Sequence, residues 1–157
     1  MYGTQSHHVE VNVPASKAWQ LCRGTGISVL GAQHLGDLFE KVDVVEGNGG
    51  PGTVLKVTFK PGKAPGNITY FKEKFTVVDD EKRVKQTDVC EGGYLELGFN
   101  YFRVRLVVKE KSADCCVLNT TLEYDVKEEC AANASLVSIQ PFVKAMEFTV
   151  DYLLKHK

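Results

Sequence analysis

One carboxyl of this chain falls where the local pattern is apolar, and a lysine lies close enough in sequence to meet it across a hairpin. Over residues 70–78 an alternating strand puts Phe71, Glu73, Phe75 and Val77 on one face and Tyr70, Lys72, Lys74 and Thr76 on the other. Glu73 therefore stands among inward-pointing aromatics. A carboxylate there loses hydration, so it finds a partner or its pKa rises until it stays protonated. Lys85 follows the acidic turn Asp79-Asp80-Glu81 at the start of the next strand, so a hairpin brings it back toward Glu73. A carboxyl and an amine facing one apolar cavity make an acid/base site. The same alternation also admits a structural buried pair, or a glutamate that reaches solvent at the end of its strand.

The elements that must hold these two residues follow from the periodicities on either side. Residues 6–13 alternate Val9, Val11 and Val13 against His8, Glu10 and Asn12, a strand with one buried face, and His7 and His8 read as exposed strand residues rather than metal ligands. Pro14 ends that strand. A short helix starts near Ser16, with Trp19 and Leu21 or Cys22 buried; Arg23-Gly24-Thr25-Gly26 interrupts it, and a second short helix over 27–35 carries Ile27, Leu30 and Leu35.

From Phe39 the pattern is β. Strands at Phe39–Val45 and Gly52–Phe59 flank the loop Glu46-Gly47-Asn48-Gly49-Gly50-Pro51-Gly52. This loop lacks the G-K-[ST] ending of a phosphate loop and leads into a strand, not a helix N-terminus, so a tight hairpin loop is expected. A polar loop, Lys60–Gly66, precedes the central stretch. After the Asp79 hairpin come a strand ending near Cys90, a long run from Tyr94 to Val108 with Phe102, Val104, Leu106 and Val108 inward, and a last strand over Cys116–Val126. In that strand Leu118, Thr120, Leu122, Tyr124 and Val126 share a face.

The C-terminal period changes to three and four. Leu136, Ile139, Val143, Met146, Val150 and Leu153 mark one long amphipathic helix, which Pro141 should kink or divide. Such a helix leaves a gap against a curved sheet, with Phe142, Met146 and Phe148 as candidates to line it; a plain core stripe is the alternative.

Bulk composition excludes several function classes. The 157 residues suit one domain, 1–157, and the formal charge of −1 gives no general pull toward nucleic acid or an anionic membrane surface. No apolar run approaches a membrane span, and the first residues have no leader-like pattern, so a cytoplasmic protein is expected. Five cysteines, odd in number and without zinc-like spacing, read as free thiols, and no metal site is expected. The N-x-[ST] triplets at Asn67, Asn119 and Asn133 read as chance matches.

Strand, two short helices, six strands, long helix: this order predicts an α+β fold. A curved seven-stranded antiparallel sheet wraps around a long C-terminal helix, two short helices follow the first strand, and an internal cavity is the natural binding site. Two motifs in this order, Glu46-Gly-Asn-Gly-Gly-Pro-Gly-Thr53 and Glu91-Gly-Gly-Tyr94, carry a whole-length resemblance to the plant pathogenesis-related class-ten family, that of the major birch-pollen allergen. Phe71-Lys-Glu-Lys-Phe75, Val84-Lys85, Gly93-Tyr-Leu-Glu-Leu-Gly98 and Glu123-Tyr124 resemble the family's norcoclaurine synthase and norbelladine synthase group. Ala131-Ala-Asn-Ala-Ser135 with Pro141-Phe142 is more similar to the norbelladine branch.

The resemblance implies condensation of an arylethylamine, dopamine or tyramine, with an aromatic aldehyde through an imine or iminium. The group's catalytic carboxylate and lysine fall on Glu73 and Lys85. Its norcoclaurine-branch tyrosine falls on Phe71, with Tyr70 beside it, and that branch's cavity aspartate falls on Val104. The norbelladine branch resembles this chain at both positions, which implies a catalytic part for Tyr70 if a bulge or strand end turns it inward. Phe71, Val104, Phe102, Phe142 and Met146 are then the expected substrate-binding residues. Imine formation needs a neutral amine and an acid for the departing carbinolamine hydroxyl, which suits a buried glutamate, while a lysine of lowered pKa orients or deprotonates a ring hydroxyl. The expected partners are the small amine and aldehyde; no cofactor is needed, and a monomer or weak dimer is expected. The rival reading is a non-catalytic carrier of apolar plant ligands such as cytokinins or flavonoids, which needs no paired acid and base. A ribonuclease finds little support without a basic groove carrying stacking aromatics.

Overall fold

Period-two alternation carries most of the chain into strands. The computed structural model describes residues 1–157. Its strands are β1 (Tyr2–Val11), β2 (Phe39–Glu46), β3 (Val54–Phe59), β4 (Tyr70–Asp79), β5 (Val84–Gly92), β6 (Phe99–Ser112) and β7 (Cys115–Val126). They form one antiparallel sheet in the order β1-β7-β6-β5-β4-β3-β2, so β1 and β2 are its edges. Helices α1 (Ala15–Cys22) and α2 (Gly26–His34) carry the chain from one edge to the other, and α3 (Gln140–Lys155) lies against the inner face. One apolar cluster joins Val11, Trp19, Cys22, Leu118, Met146 and Leu153; a second joins Phe99, Phe102, Leu122, Tyr124, Val126 and Val137.

Several expectations change here. Pro141 neither kinks nor divides the helix: it sits in the first turn of α3, where its missing N–H costs nothing, and residues 128–136 form a separate run of 3₁₀ turns. Leu136 therefore belongs to that run and not to the helix stripe. Tyr94 does not open a strand. Gly93–Leu97 is a 3₁₀ segment made possible by Gly92 and Gly93 at φ 68° and 56°. A Cβ on Gly93 would meet Phe71 Cβ at 2.8 Å, so the Gly-Gly pair lets this segment press against β4.

Val77 faces outward, because the β4–β5 register slips between Phe75 and Val77 and hands the inner position to Val78. His7 is half-buried, since period two places it with Val9 rather than His8. Phe148 stacks on His34 of α2 with ring centroids 4.4 Å apart and takes no part in the cavity wall. No helix is long and apolar enough to cross a membrane.

Candidate active site

Between sheet, α2 and α3 lies a cavity of about 500 Å³, a size suited to small organic ligands. Its wall is mostly apolar, and Leu106 and Met146 border it from one core cluster, Phe102 and Phe142 from the other. Lys63 belongs to the wall and is itself exposed, so the cavity meets the surface beside the Lys60–Gly66 loop.

Glu73 and Lys85 both line this cavity. The bulge between Lys72 and Glu73 sets Glu73 opposite Val89, and Lys85 lies opposite Val78, with the Phe75–Thr87 pair between them. They face the same space without forming an ion pair, which leaves each free to meet a ligand. Burial pushes the Glu73 carboxyl above the usual carboxylate range, against the smaller opposing effects of the Lys85 charge and the neighbouring Thr87 hydroxyl. Lys85 is only 5% exposed, and burial lowers its pKa to about 8. Its ammonium donates to the Gly24 carbonyl at 2.7 Å and sits 4.2 Å from the centroid of the Phe75 ring.

The glycine-rich loop is the strut behind that arrangement. Its polar groups are spent internally: the Gly49 N–H donates to Thr53 Oγ1 at 2.8 Å, and that hydroxyl donates to the Gly50 carbonyl at 2.7 Å. Backbone bonds of 2.8 Å from Gly52 N to Phe75 O and from Phe75 N to Thr53 O fasten the loop to the strand that carries Glu73. A Cβ on Gly49, at φ +103°, would come within 3.6 Å of Gly24 and 3.9 Å of Thr25, so the loop runs beside the turn that supplies the acceptor for Lys85. The loop thus positions the amine instead of cradling a phosphate.

Among the other expected site residues, Phe71, Val104, Phe102, Phe142 and Met146 all line the cavity. Tyr70 does not. Strict alternation holds for it, and its hydroxyl donates to Glu91 Oε2 at 2.9 Å on the outer face, with Lys56 over its ring. The bulge that could have turned it falls between Lys72 and Glu73, too late in the strand. Sequence reasoning missed Thr87, Tyr94 and Thr120. Thr87 shares Lys85's face two residues on, a signal that was available in the period-two pattern. Tyr94 stacks on Phe102 with centroids 4.4 Å apart and reaches the wall only through the 3₁₀ turn, which alternation does not foresee. No group of three or more His, Cys, Asp or Glu side chains is placed to hold a metal ion.

Residues 1–156 match the model of the pathogenesis-related protein Bet v 1 family. The chain is 41% identical over 157 residues to norbelladine synthase of Narcissus pseudonarcissus, which covers all of this chain and 95% of that protein. It is 37% identical over 153 residues to S-norcoclaurine synthase 2 of Papaver somniferum, across 96% of this chain but 65% of that protein. Among solved structures, Thalictrum flavum norcoclaurine synthase in complex with dopamine and hydroxybenzaldehyde has a TM-score of 0.87 at 33% identity, with 100% of this chain and 89% of that chain covered. A point mutant of the same synthase with a transition-state analogue has a TM-score of 0.89 at 33% identity, with 99% and 96% covered.

Proposed function

This chain belongs to the pathogenesis-related protein Bet v 1 family, and from that premise we propose that it condenses an arylethylamine, dopamine or tyramine, with an aromatic aldehyde. One observation carries the reading: a half-buried carboxyl and a buried amine, unpaired with each other, face a single apolar cavity. The similarity to norbelladine synthase and to a synthase solved with dopamine and hydroxybenzaldehyde supports the choice of partners.

In this scheme the neutral amine adds to the aldehyde carbon to give a carbinolamine. Glu73, whose carboxyl pKa is raised by burial, acts as the acid and delivers a proton to the carbinolamine hydroxyl, which leaves as water while the nitrogen lone pair forms the C=N bond. Lys85, with a pKa near 8, is partly neutral around physiological pH and accepts a proton from a ring hydroxyl or from the arriving ammonium. Phe71, Phe102, Val104, Phe142 and Met146 hold the two rings together, and proximity supplies much of the rate. Tyr70 has no part, because its hydroxyl is engaged outside the cavity.

The test is incubation with dopamine or tyramine and a panel of aromatic aldehydes, products being read by mass spectrometry and chiral chromatography. Glu73→Gln keeps size and hydrogen bonding but has no proton to deliver, so turnover should drop by roughly 10²- to 10⁴-fold. A rate within about threefold of the parent, well below that range, would make Glu73 structural. Saturable binding with no product from any pair would leave a carrier.

A further inference from the structure

The inner face of β7 is apolar except at one interior position. Cys116, Leu118, Leu122, Tyr124 and Val126 point into the core with Thr120 among them. Thr120 is 2% exposed and lines the cavity, yet its hydroxyl has no hydrogen-bond partner. Valine has the same shape and carries no such penalty, so a threonine here needs a reason.

The strand register supplies one. Lys85 pairs with Leu106, Leu106 with Thr120, and Thr120 with His7, so the four form one row across β5, β6, β7 and β1. With strands about 4.8 Å apart, the Thr120 backbone lies roughly 10 Å from that of Lys85. Leu106 is an apolar shelf between them. At the far end, Nδ1 of His7 is also buried without a partner.

We propose that Thr120 is a specificity-determining residue that receives a ring hydroxyl of the aromatic substrate, with the ring lying on Leu106 and its reactive arm turned toward Lys85 and Glu73. A turn about the Cα–Cβ bond of Thr120 exchanges methyl and hydroxyl and brings the oxygen to the cavity wall. The substrate O–H then donates to Thr120 Oγ1, and the Thr120 O–H donates to His7 Nδ1 in the tautomer whose proton is on Nε2. Both orphan atoms are satisfied, and an aromatic lacking the hydroxyl leaves the Thr120 oxygen facing the cavity without a donor. The identity of the aromatic rests on the condensation reading; the contact does not.

The experiment compares Thr120→Val with the parent, without requiring turnover. Displacement of an anilinonaphthalene sulfonate probe measures the affinities of tyramine against phenethylamine and of 4-hydroxybenzaldehyde against benzaldehyde, and thermal unfolding is followed in parallel. In the parent, one pair should favour its hydroxylated member by roughly three- to tenfold, the worth of one neutral hydrogen bond. Thr120→Val should bring that ratio close to one while Tm holds or rises, since an orphan hydroxyl has been removed. A ratio that survives the substitution, or no preference in the parent, overturns the proposal. So does a lower Tm with the ratio intact, because Thr120 and His7 would then serve only each other. The preference without any condensation product would remove the proposed reaction and leave this contact standing.

Discussion

Lys85 has been moved to about 8 by burial, and the sign of that shift fixes how it affects stability. Folding favours the neutral amine, so between about 8 and the ordinary 10.5 the unfolded chain holds more protons than the native one. Stability contributed through this residue therefore rises with pH across that window, and each unit of displacement is worth about 1.4 kcal/mol. Urea unfolding of the parent and of Lys85→Met should diverge in the parent's favour from pH 8 upward; a constant difference would mean that the amine stays hydrated when folded. Glu73 has the opposite sign: its native state keeps a proton that the unfolded chain loses above about 4.5, so its contribution falls as pH rises toward the folded value. Val104 is the next residue with a testable role. It pairs with Thr87, another residue of the cavity wall, and it presents only methyl groups at the position where the resemblance to the norcoclaurine branch implies an aspartate. Ring closure needs the arene placed against the iminium, and a misplacement near 1 Å costs about 10²-fold. Val104→Asp should raise the enantiomeric excess of the cyclised product from dopamine and 4-hydroxyphenylacetaldehyde, at some cost in stability for a buried carboxylate. One nearly pure enantiomer from the parent would show that Glu73 and Lys85 suffice. Glu73 was legible in the sequence because an ionisable group breaks an apolar face visibly, and Lys85 because the turn before it returns the chain toward Glu73. Thr120 was not, since threonine is an ordinary strand residue and only the missing partner marks it.

Elements explain why Lys85 points where it does. Its acceptor, the Gly24 carbonyl, belongs to the break between α1 and α2, and that break is braced by Gly49 of the glycine-rich loop. Gly49 sits at φ +103°, a conformation that L side chains rarely adopt. Gly49→Ala should therefore lower stability by about 1–2 kcal/mol and, by loosening the turn, lower kcat more than it raises KM. Gly24→Ala is the control, because an added methyl there meets nothing within 4 Å; it should move stability by no more than about 0.5 kcal/mol. Equal kinetic losses in both would show that any change in this region acts, not the brace itself. The loop, the succession of strands along the chain and the two short helices follow from turn residues and periodicity, which are local signals. What was not legible depends on tertiary context: the extra residue that turns Val77 outward, the 3₁₀ turn that brings Tyr94 inward, and the start of α3 at Gln140. Pro141 carries the same residue-level signal whether it breaks a helix or begins one, and only the packing of residues 128–136 decides between them.

At the scale of the molecule, the chain concentrates its apolar packing in two clusters and leaves the space between them to the cavity. The cavity was expected, but for another reason. No kink in α3 makes the room; the helix is a single segment, and the space lies where the inner face of the sheet is bridged by α2 and α3. A wall of this kind loses contacts that a filled core would have, so the empty protein forgoes stability that a ligand restores. A bound ligand at one hundred times its Kd adds about 2.7 kcal/mol to the native state. For a chain of this length each kcal/mol moves Tm by about 2–4 °C, so the expected rise is roughly 5–10 °C. Thermal unfolding with increasing tyramine or 4-hydroxybenzaldehyde, each alone so that no product forms, should give that rise with a saturating dependence on occupancy. Phe102→Ala, which enlarges the wall and removes ring contacts, should weaken the shift as well as lower the starting Tm. A Tm that does not respond to either aromatic, with a probe that fails to saturate, would mean that the cavity does not take these molecules, and the acid and base facing it would then have nothing to act on.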